Sequence, residues 1–496
     1  MMNTRGCKKR ISVLVLVSLL MLTVLSGGCG SAGTAPGDVK VPGKEGSTGN
    51  ADNAGNADSA GEAAAPEAVE EGLFRAGLVE DIGTLDVHRT TSEYLVPINA
   101  FERLFEIRQN DDETTELVPG LAEDYTLSEP FAGYIYQVAT PSCSILSEKC
   151  VREAGDNYGT SPETTIGSGP YMVTEYDSKK GLTLELNPYW KKEQPSVKKA
   201  KFQILDPALM DATFREGGLD LLDLDAIHTD TIKTVYKSDE WKDSLVSKGC
   251  VETHYLMMNL EARPLDMIQV RKAVQMAINR QKIVEELYGG EASLVDGIFP
   301  RGLHGYSEEN QGWLQYDPEG AKQILQKIGK DIGSRIELAA DSTASMRELN
   351  LLNMIRQDLQ AVGLEVSIVS YDPDSWMYLR THGKLMAFCG VWSADYNDPD
   401  NFVYTFFGSR EKTLRRSGNF AEQDVMDRIG RARTIREDDE RMKEYADLER
   451  LLIRDKALWV PLFSTNHLFV LGDRVESFVP YWAGWNSIPL KDVVLK

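Results

Sequence analysis

A strand, a helix and a second strand follow one another between residues 336 and 368, and this succession constrains the fold most. Residues 336–340 are apolar apart from Glu337, residues 346–362 repeat apolar side chains at helical spacing, and residues 364–368 alternate between apolar and polar side chains. Strands joined through a helix form a parallel pair, with the helix packed on one face of the sheet. The chain is therefore predicted to be an α/β protein.

Length and charge limit the architecture and the partners. The chain has 496 residues, more than one hydrophobic core usually organises, so two or three lobes are predicted. It contains 54 Lys and Arg residues against 76 Asp and Glu residues, a formal net charge of −22. This charge opposes binding to nucleic acid or to an anionic lipid surface, and it favours cationic or neutral partners.

Residues 1–28 are predicted to be an export signal. Basic residues precede a charge-free apolar run from Ile11 to Leu25, which is shorter than a bilayer crossing requires. Small residues and Cys29 follow, in a pattern that resembles a bacterial lipobox with Ser26 where that motif usually has leucine. Cys29 is therefore the predicted lipidation site. An ordinary secretory peptide or an N-terminal membrane anchor is the alternative.

Residues 29–72 are predicted to comprise the lipidated cysteine and a disordered linker. The segment after Cys29 is rich in small, polar and acidic residues and contains no aromatic residue, so it cannot bury enough apolar surface to order itself. In the body of the chain, Cys143 and Cys150 are compatible with a disulfide after export and equally with small buried thiols.

The sequence lacks the common catalytic motifs. It has no phosphate-binding glycine loop, zinc-protease motif or serine-hydrolase elbow, and its six histidines stand far apart. The chain is therefore predicted not to be an enzyme and to need no metal or other cofactor. A secreted hydrolase that uses two acidic residues stays open as an alternative, because paired carboxylates act as acid and base in some enzymes.

Two acidic clusters call for an interpretation. The first, from Asp220 to Asp230, alternates with leucines and is predicted to be a strand edge and a turn. The second begins at Asp395, and its spacing departs from that of a calcium loop. Asp395 lies between Trp392 and Tyr396, and a carboxylate among aromatic side chains suits an ammonium ligand. Taken alone, this loop is more typical of a solvated turn.

Several short motifs follow one another over most of the mature chain. They are Gly83-Thr84-Leu85-Asp86, Gly167-Ser168-Gly169-Pro170-Tyr171, Asn187-Pro188-Tyr189-Trp190, Gly218-Leu219-Asp220, Tyr255-Leu256-Met257-Met258-Asn259, Ala277-Ile278-Asn279-Arg280, Tyr316-Asp317-Pro318 and residues 392–400. In this order and spacing, the chain resembles the peptide-binding class of bacterial extracellular solute-binding lipoproteins, the receptors of oligopeptide and dipeptide ABC importers.

The resemblance implies a two-lobed, periplasmic-binding-protein-like α/β fold of class II. The first lobe is predicted over residues 73–258, the second over residues 259–465, and residues 466–496 return to the first lobe. The small subdomain of the first lobe, about residues 111–165, is predicted to be truncated. Several dozen residues that the family normally carries after Tyr125 are absent from this sequence.

The resemblance also implies a peptide held between the lobes. Asp395 matches the position that binds the peptide α-amino group, and Arg380 is the nearest match to an arginine that meets ligand carboxylates. A second arginine of the family, inside the strand, is replaced by Cys389. Residues 78–81 match the first strand of the family, whose backbone pairs with the peptide. The predicted ligand-binding residues are Asp395, Trp392, Tyr396, Arg380, Val79 and Glu80.

The function implied by the resemblance is that of a monomeric receptor anchored by lipid through Cys29. It would lie on the extracellular face of the cell membrane or in the periplasm, capture peptides, and deliver them to an ABC permease in the membrane. A receptor for another solute, such as nickel, a glycoside or an opine, is the alternative. The lack of a histidine cluster counts against nickel.

Overall fold

The computed structural model describes residues 70–90, 93–110, 112–125, 134–227, 239–329, 335–485 and 487–496. These residues belong to one compact unit. The predicted signal peptide, Cys29 and the linker as far as residue 69 lie outside the described residues. Residues 126–133, which follow the predicted deletion junction, also lie outside them. No helix in the described part of the chain is long and apolar enough to cross a membrane.

Helices and strands are interspersed along the described chain. The helices are α1 (Leu95–Ala100), α2 (Tyr134–Gln137), α3 (Glu148–Ala154), α4 (Pro207–Arg215), α5 (Ile268–Ala277), α6 (Arg280–Tyr288), α7 (Pro318–Ile328), α8 (Met346–Ala361), α9 (Pro373–Thr381), α10 (Pro399–Phe407), α11 (Arg410–Leu414), α12 (Gln423–Ala432) and α13 (Asp438–Glu449). The strands are β1 (Leu73–Leu78), β2 (Phe105–Gln109), β3 (Thr115–Pro119), β4 (Tyr171–Asp177), β5 (Gly181–Leu186), β6 (Lys199–Ile204), β7 (Leu221–Asp223), β8 (Leu245–Gly249), β9 (Glu252–Met258), β10 (Ala292–Leu294), β11 (Arg335–Asp341), β12 (Glu365–Tyr371), β13 (Ala387–Ser393), β14 (Trp459–Leu471), β15 (Val475–Phe478) and β16 (Val493–Leu495).

Most strands join one mixed sheet. Within the described residues it has 12 strands, in the order β12-β11-β13-β9-β14-β7-β1-β6-β5-β4, with β8 and β10 also paired to β14. Strand β11 pairs in parallel with β12 and β13, and β1 pairs in parallel with β6 and β7. The long strand β14 pairs with β9 near its start and with β7 and β8 near its end. It therefore connects the two parts of the sheet.

Each part of the sheet has its own apolar packing. Along β9, Leu256 and Met258 belong to one core, whereas Tyr255 and Met257 belong to another on the opposite face. This division follows from the alternation of side chains along a strand. A separate core around Phe74 packs on β1, β4, β5 and β6. Separate cores on the two parts of the sheet fit the two-lobed α/β fold, and the exact lobe bounds given above stay a prediction.

The predicted strand, helix and second strand are confirmed at residues 335–371. Strands β11 and β12 pair in parallel along their whole length, with α8 between them in the chain. Ser345 begins α8 with a capping box, in which its side chain accepts from the Glu348 N–H while the Glu348 side chain accepts from the Ser345 N–H. Gly363, at a φ of 98°, follows the helix in a conformation that only glycine adopts without steric cost.

The strand and turn predicted from Asp220 onward are present, as β7 and the turn residues 224–227, but the edge position is wrong, because β7 lies between β14 and β1 inside the sheet. Asp220 is only 2% exposed and forms ion pairs with Arg75 at 2.8 Å and Arg474 at 3.1 Å. Its charge is thus neutralised within the fold, as burial of a carboxylate requires. Asp230 lies outside the described residues.

The two cysteines that were compatible with a disulfide are both free thiols. Cys143 is exposed, and Cys150 is buried. The Cys150 thiol donates to the carbonyl oxygen of Thr164 at 3.6 Å. Cys150 therefore matches the alternative of a small buried thiol, which packs as a hydrophobic side chain.

The hairpin β2–β3 connects the region predicted to be truncated with the rest of the chain. Ile107 packs against the core that also contains residues of β9 and β13. The Thr115 hydroxyl donates to the Gly302 carbonyl oxygen at 2.7 Å, and Gln109 Nε2 donates to the Gly249 carbonyl oxygen at 3.3 Å. The described portion of this region is therefore fastened to the second half of the chain by both apolar and polar contacts.

Candidate ligand-binding site

Asp395 lies in a short loop between β13 and α10, where Asn401 orients its carboxylate. The backbone N–H of Asp395 donates to Asn401 Oδ1 at 3.1 Å, and Asn401 Nδ2 donates to Asp395 Oδ2 at 3.0 Å. Asn401 is buried in the first turns of α10, so the helix holds the amide in place. Asp395 itself is half-buried, and the described residues offer it no ion pair.

Asn401 also positions Trp392. Trp392 Nε1 donates to Asn401 Oδ1 at 3.0 Å, and the Trp392 ring meets Phe406 edge to face at 5.3 Å. One buried amide thus brings the predicted carboxylate and one predicted aromatic residue together. Sequence reasoning missed Asn401, although its place in the helix that begins after Asp398 was a usable signal.

The electrostatic environment of Asp395 suits a cationic ligand group. Burial raises the pKa of Asp395, whereas the hydrogen bond from Asn401 and the charge of Arg416 lower it. An ionised carboxylate in a partly dry environment is costly until a counter-ion arrives. An ammonium group that approaches this carboxylate gains more than it would from a fully solvated one.

The Tyr396 hydroxyl belongs to a different network. It donates to Asp400 Oδ2 at 3.3 Å, and Asp400 also accepts from the Tyr445 hydroxyl at 3.1 Å and pairs with Arg433 at 2.8 Å. Burial, followed by the charge of Asp400, raises the pKa of Tyr396 well above its usual value, so its hydroxyl stays neutral. The Tyr396 hydroxyl therefore bonds to Asp400, whereas the Asp395 carboxylate bonds to Asn401.

Arg380 lies in the last turn of α9, packed against aromatic rings. Its guanidinium lies 5.6 Å from the ring centroid of Trp376 and 5.9 Å from that of Phe388. Burial raises the pKa of Tyr255, while the charges of Arg380 and Arg416 and a hydrogen bond with Arg380 lower it. The charges of both Arg380 and Arg416 thus act on the Tyr255 hydroxyl. Arg416 was not among the residues that the sequence singled out.

Val79 and Glu80 follow directly after β1. Val79 is 47% exposed, and Glu80 is also exposed. Burial, followed by the charge of Glu80, raises the pKa of Glu93 to about 7, which places Glu80 near that residue. No hydrogen bond or ion pair among the described residues joins Val79 or Glu80 to Asp395.

Two aromatic residues that sequence reasoning missed come to the Asp395 loop from distant parts of the chain. Trp485 Nε1 donates to the Ala394 carbonyl oxygen at 3.4 Å, and the Trp485 ring meets Tyr94 edge to face at 5.2 Å. Burial, followed by the charge of Asp395, raises the pKa of Tyr94, so its hydroxyl lies near that carboxylate. Neither residue carried a sequence signal, because a lone aromatic residue is more often part of a core.

A second polar cluster lies along β9 and β13. Glu252 accepts a hydrogen bond from Ser393 at 2.8 Å and lies 3.0 Å from His254 Nε2. Burial alone would raise the pKa of Glu252, but the hydrogen bond and charge of His254 bring it to about 2. Nearby, Arg347 pairs with Asp225 at 3.6 Å. Within the described residues, no group of three or more His, Cys, Asp or Glu side chains is placed to hold a metal ion.

A known protein family matches well over half of the chain. Residues 90–413 match the family described as bacterial extracellular solute-binding proteins, family 5 Middle. The probable D,D-dipeptide-binding periplasmic protein DdpA of Escherichia coli K12 is 25% identical over 387 residues, which are 77% of this chain and 72% of that protein. Heme-binding protein A of Haemophilus influenzae is 24% identical over 413 residues, 81% of this chain and 72% of that protein.

Solved structures share the fold at lower identity. The periplasmic binding protein DppA from Helicobacter pylori, in complex with the peptide STSA, has a TM-score of 0.69 at 17% identity and covers 86% of this chain and 98% of its own. NikA from Brucella suis, in complex with Fe(III)-EDTA, has a TM-score of 0.73 at 16% identity. The match covers 86% of this chain and 100% of the NikA chain. These likenesses establish the two-lobed fold.

Proposed function

The chain belongs to the bacterial extracellular solute-binding proteins of family 5, which are binding proteins of ABC importers and not enzymes, and from this premise we propose that it captures peptides and delivers them to a membrane permease. Family membership removes the alternative of a secreted hydrolase. In the proposed complex the peptide lies between the two lobes, and its α-amino group binds Asp395.

The observation that carries this proposal is the oriented, unpaired carboxylate of Asp395. Asn401 fixes its direction, Trp392 supplies an aromatic wall, and no described residue neutralises it in an ion pair. A charge-assisted hydrogen bond from an ammonium group to such a carboxylate is worth about 1.5–3 kcal/mol. The indole adds an apolar surface and a cation–π attraction.

The other predicted residues take supporting roles in the proposal. Arg380 meets a carboxylate of the ligand, and the ring of Tyr396 forms part of the wall beyond Asp395. Val79 and Glu80 offer their backbone to an extended peptide, which adds as a strand. Their exposed position directly after β1 supports this role.

A receptor for another solute is the second candidate function. One relative is named for a D,D-dipeptide and one solved structure holds the peptide STSA, whereas a relative of nearly equal identity is named for heme. The Asp395 site favours a ligand with a free amine, which supports the peptide candidate.

The proposal extends to the N-terminal segment. The lipobox-like pattern supports lipidation of Cys29, which would hold the monomeric receptor at the extracellular face of the cell membrane or in the periplasm. We propose that the segment after Cys29 acts as a tether, since a coil of about 40 residues would hold its ends roughly 35 Å apart, enough to keep a folded body clear of the membrane surface. The permease subunits are the proposed protein partners.

The substitution Asp395→Asn tests the amine-binding role. We expect affinity for peptides with a free α-amino group to fall about 10- to 150-fold, since one charge-assisted hydrogen bond is lost, while affinity for the same peptides N-acetylated changes little. Isothermal titration calorimetry measures both. Asp424→Asn is the matched control, because Asp424 is an exposed carboxylate on α12.

Equal losses for free and acetylated peptides would contradict the role of Asp395. Mass spectrometry of the material released after incubation with a peptide mixture tests the wider proposal. Intact peptides are expected, and failure of every peptide to bind would favour a receptor for another solute.

A further inference from the structure

We propose that the small subdomain of the first lobe is a clasp, in which the strands β2 and β3 and the helix α2 grip the second lobe beside the Asp395 loop and hold the lobes together independently of a ligand. In ordinary hinge closure, contacts of the ligand to both lobes keep them together. Here side chains of the protein supply such contacts. The clasp rests on the proposed function only in its consequence for peptide release.

The clasp has little apolar core of its own. In the described residues, the cluster formed by β2 and the segment around α2 contains three buried hydrophobic side chains, Phe105, Ile135 and Ala139. A core of this size does not stabilise a separate folded unit. Ile107 on β2 also packs against the larger core that contains Phe299. The clasp therefore depends on the neighbours against which it packs.

The base of the clasp is fastened to the first lobe. Glu102, shortly before β2, is only 8% exposed and pairs with Lys192 at 2.7 Å. Glu106 on β2 pairs with Lys491, in the segment predicted to return to the first lobe, at 2.5 Å. These ion pairs hold the base of β2 on the first lobe, so a contact made farther along the hairpin spans the two lobes.

Thr115, at the start of β3, bonds to two segments of the second lobe. Its hydroxyl donates to the Gly302 carbonyl oxygen at 2.7 Å and accepts a hydrogen bond from Asn397 Nδ2. Asn397 is 1% exposed, and its Oδ1 accepts from the His304 N–H at 2.8 Å. Because Asn397 lies two residues after Asp395, this single hydroxyl of the first lobe is bonded to the loop that carries the proposed amine site.

The shape of the second lobe at this contact fits the hairpin. Gly302 has a φ of 89°, and a Cβ added there would lie 2.8 Å from the Glu113 carbonyl oxygen in the hairpin turn. Glycine alone permits this backbone conformation and this close approach without strain. The hairpin turn therefore rests directly on the backbone of the second lobe.

Helix α2 makes a second contact with the same part of the second lobe. The Tyr136 ring stacks on His304 at 5.3 Å, and His304 Nε2 lies 2.9 Å from Asp438 Oδ2. Burial, followed by the charge of Asp438, raises the pKa of Tyr136, so its hydroxyl lies near the start of α13. Burial also raises the pKa of Tyr396, whereas a hydrogen bond with Gln137 lowers it. The helix thus contacts a second predicted site residue.

These contacts favour the closed arrangement of the lobes. The second-lobe segments 302–304 and 395–397 both bond to the clasp, so the lobes part only when these contacts break together. A bound peptide leaves when the lobes open, and a clasp that lowers the population of the open state slows its release.

Hydrogen exchange of the full-length protein without peptide tests the clasp. Thr115→Val removes both hydrogen bonds and keeps the shape of the side chain, so we expect exchange at residues 302–304 and 395–401 to accelerate about 5- to 30-fold. Thr115→Ser, which keeps the hydroxyl, should exchange like wild type. Thr114→Val is the matched control, because the Thr114 hydroxyl donates to Asp112 within the hairpin turn.

The dissociation rate of a bound peptide measures the consequence. The probe is the peptide recovered in the largest amount from the mixture used above, and stopped-flow displacement gives its rate. This rate should rise about 5- to 30-fold in Thr115→Val and stay near the wild-type value in Thr114→Val. Tyr136→Leu, which removes the stacking on His304, should act in the same direction and decides the case if Thr115→Val does not fold.

The proposal is wrong if residues 302–304 and 395–401 exchange at the wild-type rate in both Thr115→Val and Tyr136→Leu. Accelerated exchange with an unchanged dissociation rate would also overturn it, because the clasp would then not retain the peptide. If no peptide is recovered from the mixture, the proposed function fails, and the exchange measurement by itself decides whether the clasp exists.

Discussion

Three carboxylates of one loop have different surroundings, although they lie within residues 395–400. Asp398 is buried and pairs with Arg441, and Asp400 is buried and pairs with Arg433. Asp395 is half-buried and has an amide as its hydrogen-bonding partner. Two of these acids are neutralised within the fold, whereas the third has no ion pair among the described residues, as its proposed amine-binding role requires.

The paired acids are bound into the fold on several sides. Asp398 begins α10 by accepting from the Asp400 N–H at 2.9 Å, and Asp400 accepts from the Tyr445 hydroxyl at 3.1 Å. Burial raises the pKa of Asp398 to about 6, although the charge of Arg441 opposes the rise. Loss of either arginine would leave a buried charge without a partner, which is among the costliest changes in a protein.

The largest effect is expected from Arg441→Met, which leaves Asp398 buried without its partner. The apparent free energy of unfolding should fall by about 3–5 kcal/mol, measured by urea denaturation. Arg436→Met is the control, because Arg436 is exposed. A variant as stable as wild type would break the distinction between structural and ligand-binding acids in this loop.

A smaller effect is expected from Tyr445→Phe, which removes one hydrogen bond to Asp400 and keeps the ring. The loss should be about 1.5–3 kcal/mol of unfolding free energy, as for other hydrogen bonds to charged groups. Tyr404→Phe serves as the comparison, since the described residues give the Tyr404 hydroxyl no hydrogen bond while its ring lies 3.7 Å from the Arg433 guanidinium. Equal losses in both variants would assign the effect to something other than the Asp400 network.

The smallest expected effect is a pH dependence of ligand affinity that arises from protonation of Asp395. Burial raises the pKa of Asp395, so its carboxyl takes up a proton at a higher pH than an exposed aspartate does. Binding of an ammonium group needs the ionised form. Affinity for free-amine peptides should thus be full above the raised pKa and fall as the pH decreases through it, by less than about tenfold per pH unit.

Calorimetric titrations between pH 4 and about pH 6.5, below the range in which the peptide α-amino group itself loses its proton, measure this dependence, with N-acetylated peptides as the control. Asp395→Asn should remove it, because the amide does not titrate. A pH profile that survives Asp395→Asn would point to another titrating group and would weaken the contrast between Asp395 and its paired neighbours.

Local sequence patterns were enough to predict much of the second half of the chain. The capping box of Ser345 and Glu348 and the apolar spacing of α8 are short-range features, and each is read within a few residues. The acidic residues from Asp220 onward were harder. Alternation with leucines predicts a strand, but only the distant partners Arg75 and Arg474 place that strand inside the sheet.

The sequence alone determined the α/β class, the family resemblance and the position of Asp395 after a strand. Tertiary structure alone decided which carboxylate of the loop stays unpaired and which residues surround it, including Tyr94, Trp485 and Arg416. The physical reason is that the free energy of a buried charge depends on partners brought close in space. Spacing along the chain does not report those partners, because β14 and the loops around it join segments that are hundreds of residues apart.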